Sequence, residues 1–327
     1  GEILSETCSV KNHLTDIKGR AEAAFQTILS IAGDREFRGI QMKTIWKLVE
    51  TCIKPIIMYS SETWKMTKGD IKSFNQILDN IIKRILITPI TTPREVLYLE
   101  TGLLDPEHTK EIKQVLMLNR LEKTKNDMIS HVLNSKSKDN WKERTTKVMN
   151  KYTDENLQYT IKSRAKYIIN KQARQAQRVK MIEAGMIGVK PKKKVKFLVE
   201  NSETTQEGKI PRYITELNRV DASTIFKART RMVNVKQNFR GKFRDLSCRG
   251  CGMEEESQQH IFETCEALHS DNSTKVFMHD IFCDNLDINE MKTNAKKIRS
   301  ILYKLENPNP TIYTCEEPLP VRDDSAC

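Results

Sequence analysis

Glycine and proline are scarce in this chain, 12 and 10 among 327 residues. So few turn-formers argue against a many-turned β architecture and favour long helices. Acidic residues fall short of basic ones: 43 Asp and Glu face 55 Lys and Arg, leaving a net charge of +12 and a pI near 9.2. That excess points to a polyanionic partner, with nucleic acid ahead of an acidic membrane surface. Hydrophobic residues are only 38% of the chain and mean hydropathy is −0.57, which describes a very polar, soluble globular protein. No apolar run approaches the ~18 residues that span a bilayer, and no secretory signal is legible. The expectation is therefore no membrane association.

Cysteine is present but is not arranged as a disulfide framework. Cys8 and Cys52 stand alone among apolar neighbours, while Cys283, Cys315 and Cys327 are spread along the last part of the chain. This usage predicts a reducing compartment, nucleus or cytoplasm. The remaining three fall together in CRGCGMEEESQQHIFETC, which reads Cys248-x2-Cys251-x8-His260-x4-Cys265. Three thiolates and one imidazole form a tetrahedral, protein-filled donor set, suited to a structural zinc ion with no position left for a reacting water. Gly250 and Gly252 permit the tight turn that aims both first sulfurs at one ion, and QQHIFETC reads as a short helix carrying the other two donors. Burial as small hydrophobic thiols is the alternative, and His269 is a possible substitute ligand.

Helical periodicity dominates the remainder. Leu14 to Ala32 form one stripe, with Gly33 as C-cap; residues 40–60 form a second helix that Pro55 kinks or splits. Ile71, Phe74, Ile77, Leu78, Ile81, Ile82 and Ile85 mark a third, and residues 106–133 read as one long fourth helix. Further helices are expected from Trp141 to Tyr152, over 155–184, from Asp221 or Ser223 as N-cap, and over 275–283 and 288–305.

Several of these segments are similar to one family. AEAAFQTILSIAGD, WKLVETCIKPIIMYSSETW, ILDNIIKRIL and TPREVLYLETGLLD resemble the region after the polymerase palm in reverse transcriptases of non-LTR, LINE-like retrotransposons. The cysteine–histidine stretch, preceded by ARTRMVNVKQNFRGKFRD, resembles the C-terminal segment of the same open reading frames. The resemblance runs from about residue 1 to about 270. It implies a helical thumb that grips a template–primer duplex, and a CCHC zinc knuckle that binds RNA or DNA. It also implies that an N-terminal polymerase domain of the same reading frame belongs before Gly1, so that this chain is a fragment. The family's paired catalytic aspartates, which hold two metal ions, have no counterpart here. The one Asp-Asp, Asp323-Asp324, lies in a proline-containing tail. No catalytic residue is assigned, and the chain is expected to be inactive as a polymerase by itself.

Positive charge concentrates in one region. Between Lys162 and Lys196 lie twelve Lys and Arg, opposed by Glu183 alone. Lys162, Arg164, Lys171, Arg174 and Arg178 are candidate phosphate contacts, with Tyr167 placed to stack on a base. A solvated helix face is the alternative. Gly185 and Gly188 break this helix, and Lys192, Lys193, Lys194 and Lys196 continue the basic run on an exposed linker. The cluster 190–196 has the form of a nuclear localisation signal or of a further phosphate-binding arm. Arg229, Arg231 and Arg240 complete the candidate nucleic-acid set. Basic and aromatic residues alternate around Phe239, Arg240, Lys242 and Phe243, which suits either base stacking or a small core against the knuckle.

The expected fold is mostly α: a helical thumb-like bundle, long basic helices and a small CCHC zinc knuckle. The expected layout is a thumb-like region over 1–135, a basic helical region and linker over 136–198 and a polar, disordered linker over 199–209. A helical unit holding the knuckle follows over 210–306, and a flexible tail over 307–327. The functional expectation is a nucleic-acid-binding C-terminal part of a LINE-like RNA-directed DNA polymerase. The alternative is an element-derived adaptor or scaffold with no polymerase activity. A nuclease would need clustered acids with a lysine, and no such arrangement follows the knuckle; a helical protein-interaction module is a further alternative.

Overall fold

Amphipathic stretches become helices where the sequence supplies both an apolar stripe and a stop. A computed structural model describes residues 10–31, 40–124, 126–135, 140–152, 162–186 and 192–307. These residues are mostly helical, and none of them forms a β-strand beyond two isolated bridges, Gln41 with Asn218 and Ser247 with Glu255. Contacts divide the chain into two units. One comprises Gly1–Val233 with His279–Ala295, the other Asn234–Met278 with Lys296–Cys327.

In the first unit, α1 (Lys11–Ile31) is followed by α2 (Met42–Leu48), a π-helical turn (Val49–Ile53) and α3 (Lys54–Ile57). Pro55 supplies no N–H to the carbonyl of Thr51, and the ladder ahead of it widens into the π turn. Then come α4 (Lys68–Ile85), α5 (Arg94–Thr101), α6 (Pro106–Glu122) and α7 (Asp127–Leu133). The single helix expected over 106–133 is two, because Asn126 starts a new one by accepting from the N–H of Ile129 at 3.1 Å. The unit continues with α8 (Trp141–Tyr152), α9 (Lys162–Met186), α10 (Lys193–Asn201), α11 (Glu203–Glu207), α12 (Tyr213–Glu216) and α13 (Arg219–Arg229). Near the chain's end lie α14 (Met278–Phe282) and α15 (Ile288–Glu306).

Helix α4 shows how a helix is fixed at both ends. Thr67 and Asp70 form a reciprocal capping box, with N–H to oxygen distances of 2.9 and 3.2 Å. Phe74, Leu78, Ile81, Ile82 and Ile85 are buried along one face. At the far end, Thr88 N–H reaches the carbonyl of Lys83 and Ile87 N–H that of Arg84, a Schellman closure with Ile87 at φ 50°. The guanidinium of Arg219 then binds the carbonyls of Ile85 and Arg84 at 2.8 and 2.7 Å, placing a cation on the negative end of the helix. Around α4 pack α1, α5 and α6, while α6 also meets α8 and α9. Ile112, Val115, Tyr152, Ala165, Ile169 and Ala173 form a core where α6, α8 and α9 converge.

Several expectations need correction. Helix α9 ends at Met186, one residue past Gly185 and short of Gly188; a Cβ at Gly185 would lie 2.2 Å from Val195, so glycine there also lets α9 and α10 touch. The polar segment 199–209 is no linker. It contains the end of α10 and all of α11, and Ser202, Thr204 and Thr205 are buried. The contact boundary falls at Val233 instead. The N-cap of α13 is Asn218, whose side chain accepts from Asp221 N–H at 2.9 Å, and Ser223 instead donates its hydroxyl to the carbonyl of Leu86. Cys52 is exposed rather than set among apolar groups. Gly33, residues 153–161, Gly188, Lys190, Pro191, Asp323-Asp324 and the tail past Asn307 lie outside the described residues. No helix among the described residues is long and apolar enough to cross a membrane.

Candidate metal centre and basic surfaces

The second unit is built around a tight hairpin. Cys248 N–H bonds the carbonyl of Glu254 at 2.7 Å, Glu256 N–H that of Leu246 at 2.8 Å, and Gly252 N–H that of Cys248 at 2.8 Å. Gly252 sits at φ 71°, a conformation in which a side chain costs about 1–2 kcal/mol. The turn presents Cys248 and Cys251. A π turn over His260–Thr264 presents His260 and leads into Cys265, whose N–H bonds the carbonyl of His260 at 2.8 Å.

These four residues come together. Their donor atoms all lie within 4.8 Å of one another; Cys248, His260 and Cys265 are buried, and Cys251 is half-buried. Cys248 Sγ is 3.8 Å from Cys265 Sγ, and Cys251 Sγ is 3.3 Å from His260 Nε2. A tetrahedral ion with metal–sulfur bonds of about 2.3 Å separates two sulfurs by about 3.8 Å. The donor set therefore has both the chemistry and the spacing to hold a metal ion. His269 does not compete: its Nε2 is 3.0 Å from the carbonyl of Ile261 and its Nδ1 3.3 Å from Thr274 Oγ1.

The surrounding groups prepare the donors. The proton shared with Cys265 is the largest cause holding the Cys248 thiol down to about 5, aided by the N–H groups of Cys251 and Gly250 against the effect of burial. The same shared proton, with burial and the neighbouring sulfurs, pushes Cys265 up. His260 Nδ1 lies 2.8 Å from the Glu254 carboxylate and 3.0 Å from Thr264 Oγ1. A carboxylate acceptor at Nδ1 places the ring proton there and leaves the Nε2 lone pair for an ion.

Three consecutive glutamates have three different partners. Glu254 faces His260, Glu255 pairs with Arg240, and Glu256, fully buried, takes Arg249 through both Nε and Nη2 at 2.9 and 2.7 Å. Glu256 also accepts the N–H of Lys236 at 2.8 Å, tying the base of the hairpin. The four donors are legible in the sequence but Glu254 is not, because composition alone does not choose among three adjacent glutamates.

The twelve expected nucleic-acid contacts separate into kinds. Arg229 is a correction: it is 1% exposed and bound to Glu100, so no phosphate reaches it. Arg174 donates to the carbonyl of Gly102 at 2.8 Å, and Arg178 to those of Thr205 and Gln206, so each closes a helix end. Lys192 pairs with Glu95 at 2.6 Å, Lys196 with Glu200 at 3.6 Å, and Arg240 with Glu255. Lys194 is half-buried, 2.7 Å from Met232 Sδ, and burial lowers its pKa. Arg231 lies over the Phe197 ring at 4.6 Å. The exposed-linker reading of the basic cluster also fails in part, since Lys193, Lys194 and Lys196 belong to α10. Lys193 is exposed, and the side chain of Lys162 lies outside the described residues.

Arg164 and Lys171 remain. Both are exposed on α9, neither makes a hydrogen bond or ion pair among the described residues, and Tyr167 between them is 68% exposed. At 100° per residue, positions 164, 167 and 171 fall on one narrow stripe. In the second unit, Lys242 stands 5.5 Å over the half-buried Phe239 ring, and Phe243 is exposed.

The chain matches no protein-family model, no curated protein and no solved structure.

Proposed function

We propose that this chain is a nucleic-acid-binding C-terminal part of a LINE-like reverse transcriptase, with its thumb-like helices in the first unit and a zinc knuckle in the second. The observation that carries the reading is the stripe of Arg164, Tyr167 and Lys171: two exposed cations with no ion-pair partner among the described residues, flanking an exposed ring. Cations of this kind neutralise backbone phosphates, and the ring stacks on a base without demanding a sequence. Phe243, Lys242 and Arg244, exposed on the second unit, offer the same chemistry.

Zinc is the ion that three sulfurs and one imidazole suit best at this spacing, and with all four positions filled by protein its role is structural. The resemblance in sequence supports the family, and the absence of an aromatic-x-Asp-Asp turn supports a chain that holds template and primer while another domain makes the bonds. Localisation to nucleus and cytoplasm, and residues 190–196 as a nuclear signal, belong to the same proposal.

The test is binding of labelled single-stranded RNA and duplex DNA across a salt series. A steep fall in affinity with salt is expected, because neutralised phosphates release counterions. Affinity unchanged between low and moderate salt would sink the reading. So would unaided copying of RNA, which would place catalysis in this chain.

A further inference from the structure

Helix α6 has a second face. Ile112, Val115 and Leu118 are buried in the core, while Lys113, Leu116, Met117 and Arg120, at steps of three and four, share a face that is half-buried to exposed. A cleft of about 330 Å³ opens along it, lined in part by those four residues, Glu62 and Asn119. Its walls are mostly apolar, because the stems of the long cations extend the surface of Leu116 and Met117. Two of its charges already match each other: Lys113 Nζ lies 2.6 Å from Glu62 Oε2. Arg120 is different, since its guanidinium makes no hydrogen bond or ion pair among the described residues. Next to it in the chain, Asn119 is 8% exposed, and its Oδ1 is buried with no hydrogen-bond partner among the described residues. Buried amides are ordinarily satisfied, so an unmet one in a cleft wall points to a ligand that meets it.

We propose that this cleft binds a linear apolar molecule with one carboxylate head, of the medium-chain fatty acid class. The chain lies against Leu116 and Met117, where each buried methylene is withdrawn from water. The carboxylate takes the forked donors of Arg120. The head also meets Asn119, because an unbonded asparagine amide turns either its N–H donors or its oxygen toward a partner. One unpaired guanidinium suits a single negative charge rather than a polyanion. The volume is at the low end of ligand clefts, about 300–1,000 Å³, whereas a stable protein partner needs roughly 800 Å² of surface on each side. That difference favours a small amphiphile over a docked helix. The cleft shares no residue with the α9 stripe, and its assignment does not depend on the chain binding nucleic acid.

Titration of the full chain with isotope-labelled methionine methyl groups, followed by NMR, tests it; Met117→Leu assigns the Met117 signal. Decanoate below its micelle concentration is expected to bind and to move that signal. Octanoate, shorter by two methylenes, should bind about tenfold more weakly. Decyltrimethylammonium, which carries the opposite charge, should also lose about tenfold or more. Arg120→Gln should weaken decanoate by about tenfold, the loss of one charge-assisted hydrogen bond, and Arg120→Lys, which keeps the charge, by about threefold. Circular dichroism establishes that both variants are folded; if either is not, the comparison of head groups on the parent chain decides. The proposal is overturned if decanoate does not bind, if the ammonium binds as well, if decanoate binds without moving the Met117 signal, or if folded Arg120→Gln retains full affinity. Movement of that signal by an acidic amphipathic peptide but not by decanoate would also overturn it, and would assign the cleft to a protein partner.

Discussion

Arg229 and Glu100, 129 positions apart in sequence, form a two-pronged ion pair inside the first unit, with Nε–Oε2 at 2.8 Å and Nη2–Oε1 at 3.1 Å. Further hydrogen bonds surround the pair. Arg229 also binds Ser202 Oγ at 2.7 Å and the carbonyl of Ile281 at 3.1 Å, and Glu100 takes the hydroxyls of Tyr213 and Thr205. Removing one partner strands the other charge in a dry interior. Arg229→Ala or Glu100→Ala is expected to cost about 3–5 kcal/mol in urea unfolding. The double variant should lose clearly less than the sum of the singles. Strict additivity would mean that the two charges do not depend on each other.

Metal affinity is expected to follow the geometry around His260. Cys251→Ser should abolish stoichiometric binding. Glu254→Gln, which weakens the hold on Nδ1, should lower affinity by about tenfold in competition with a chromophoric chelator, the low end for such outer partners because Glu254 is largely exposed. Stripping the ion should raise amide exchange across residues 246–265. Equal metal content in the Cys251→Ser chain would remove the site.

Arginines on α9 are expected to divide by role. Arg164→Gln with Lys171→Gln should flatten the log–log salt dependence of nucleic-acid binding by about 1.4–1.8, the contribution of two phosphates. Arg174→Gln and Arg178→Gln, which release helix-end carbonyls, should lower the melting temperature and leave that slope nearly intact. The reverse pattern would exchange their assignments.

Ile87 closes α4 from a left-handed conformation that disfavours β-branched side chains, and its side chain is 43% exposed. Ile87→Gly should therefore stabilise the unit by about 1 kcal/mol, relief of the left-handed strain exceeding the entropy of the added glycine. Destabilisation of similar size would show that the Ile87 side chain makes contacts worth more than its strain.

Acid sensitivity should centre on Asp105. Burial alone would raise its carboxyl, but hydrogen bonding and charge from His108, with the charge of Arg94, hold it below the usual value. The folded pKa thus lies under the unfolded value of about 3.9. Its contribution is complete above that pH and is lost as pH falls through the lowered folded value. Asp105→Asn should be less stable at neutral pH and should show a shallower loss of stability below about pH 4. An unchanged acid limb would assign the sensitivity to other carboxylates.

Local features were legible in the sequence where the physics is local. The spacing of Cys248, Cys251, His260 and Cys265 is set by one hairpin and one helical turn, and the stripe of α4 by a single helix face. What could not be read depends on partners far along the chain. Arg174 finds its carbonyl 72 positions away and Arg229 its carboxylate 129 away, and neither differs in local pattern from an exposed arginine. The polarity of 199–209 suggested a linker because buried hydroxyls are rare unless satisfied, and Ser202, Thr204 and Thr205 are satisfied by the Arg229–Glu100 pair.

That pair also governs where the polypeptide tolerates being cut. A shortened version begun at Ile210 would keep the guanidinium of Arg229 and lose the carboxylate of Glu100 and the hydroxyl of Ser202, so it would gain a stranded cation instead of a clean edge. Dissection at the polar stretch, which composition invites, should yield insoluble or protease-sensitive pieces.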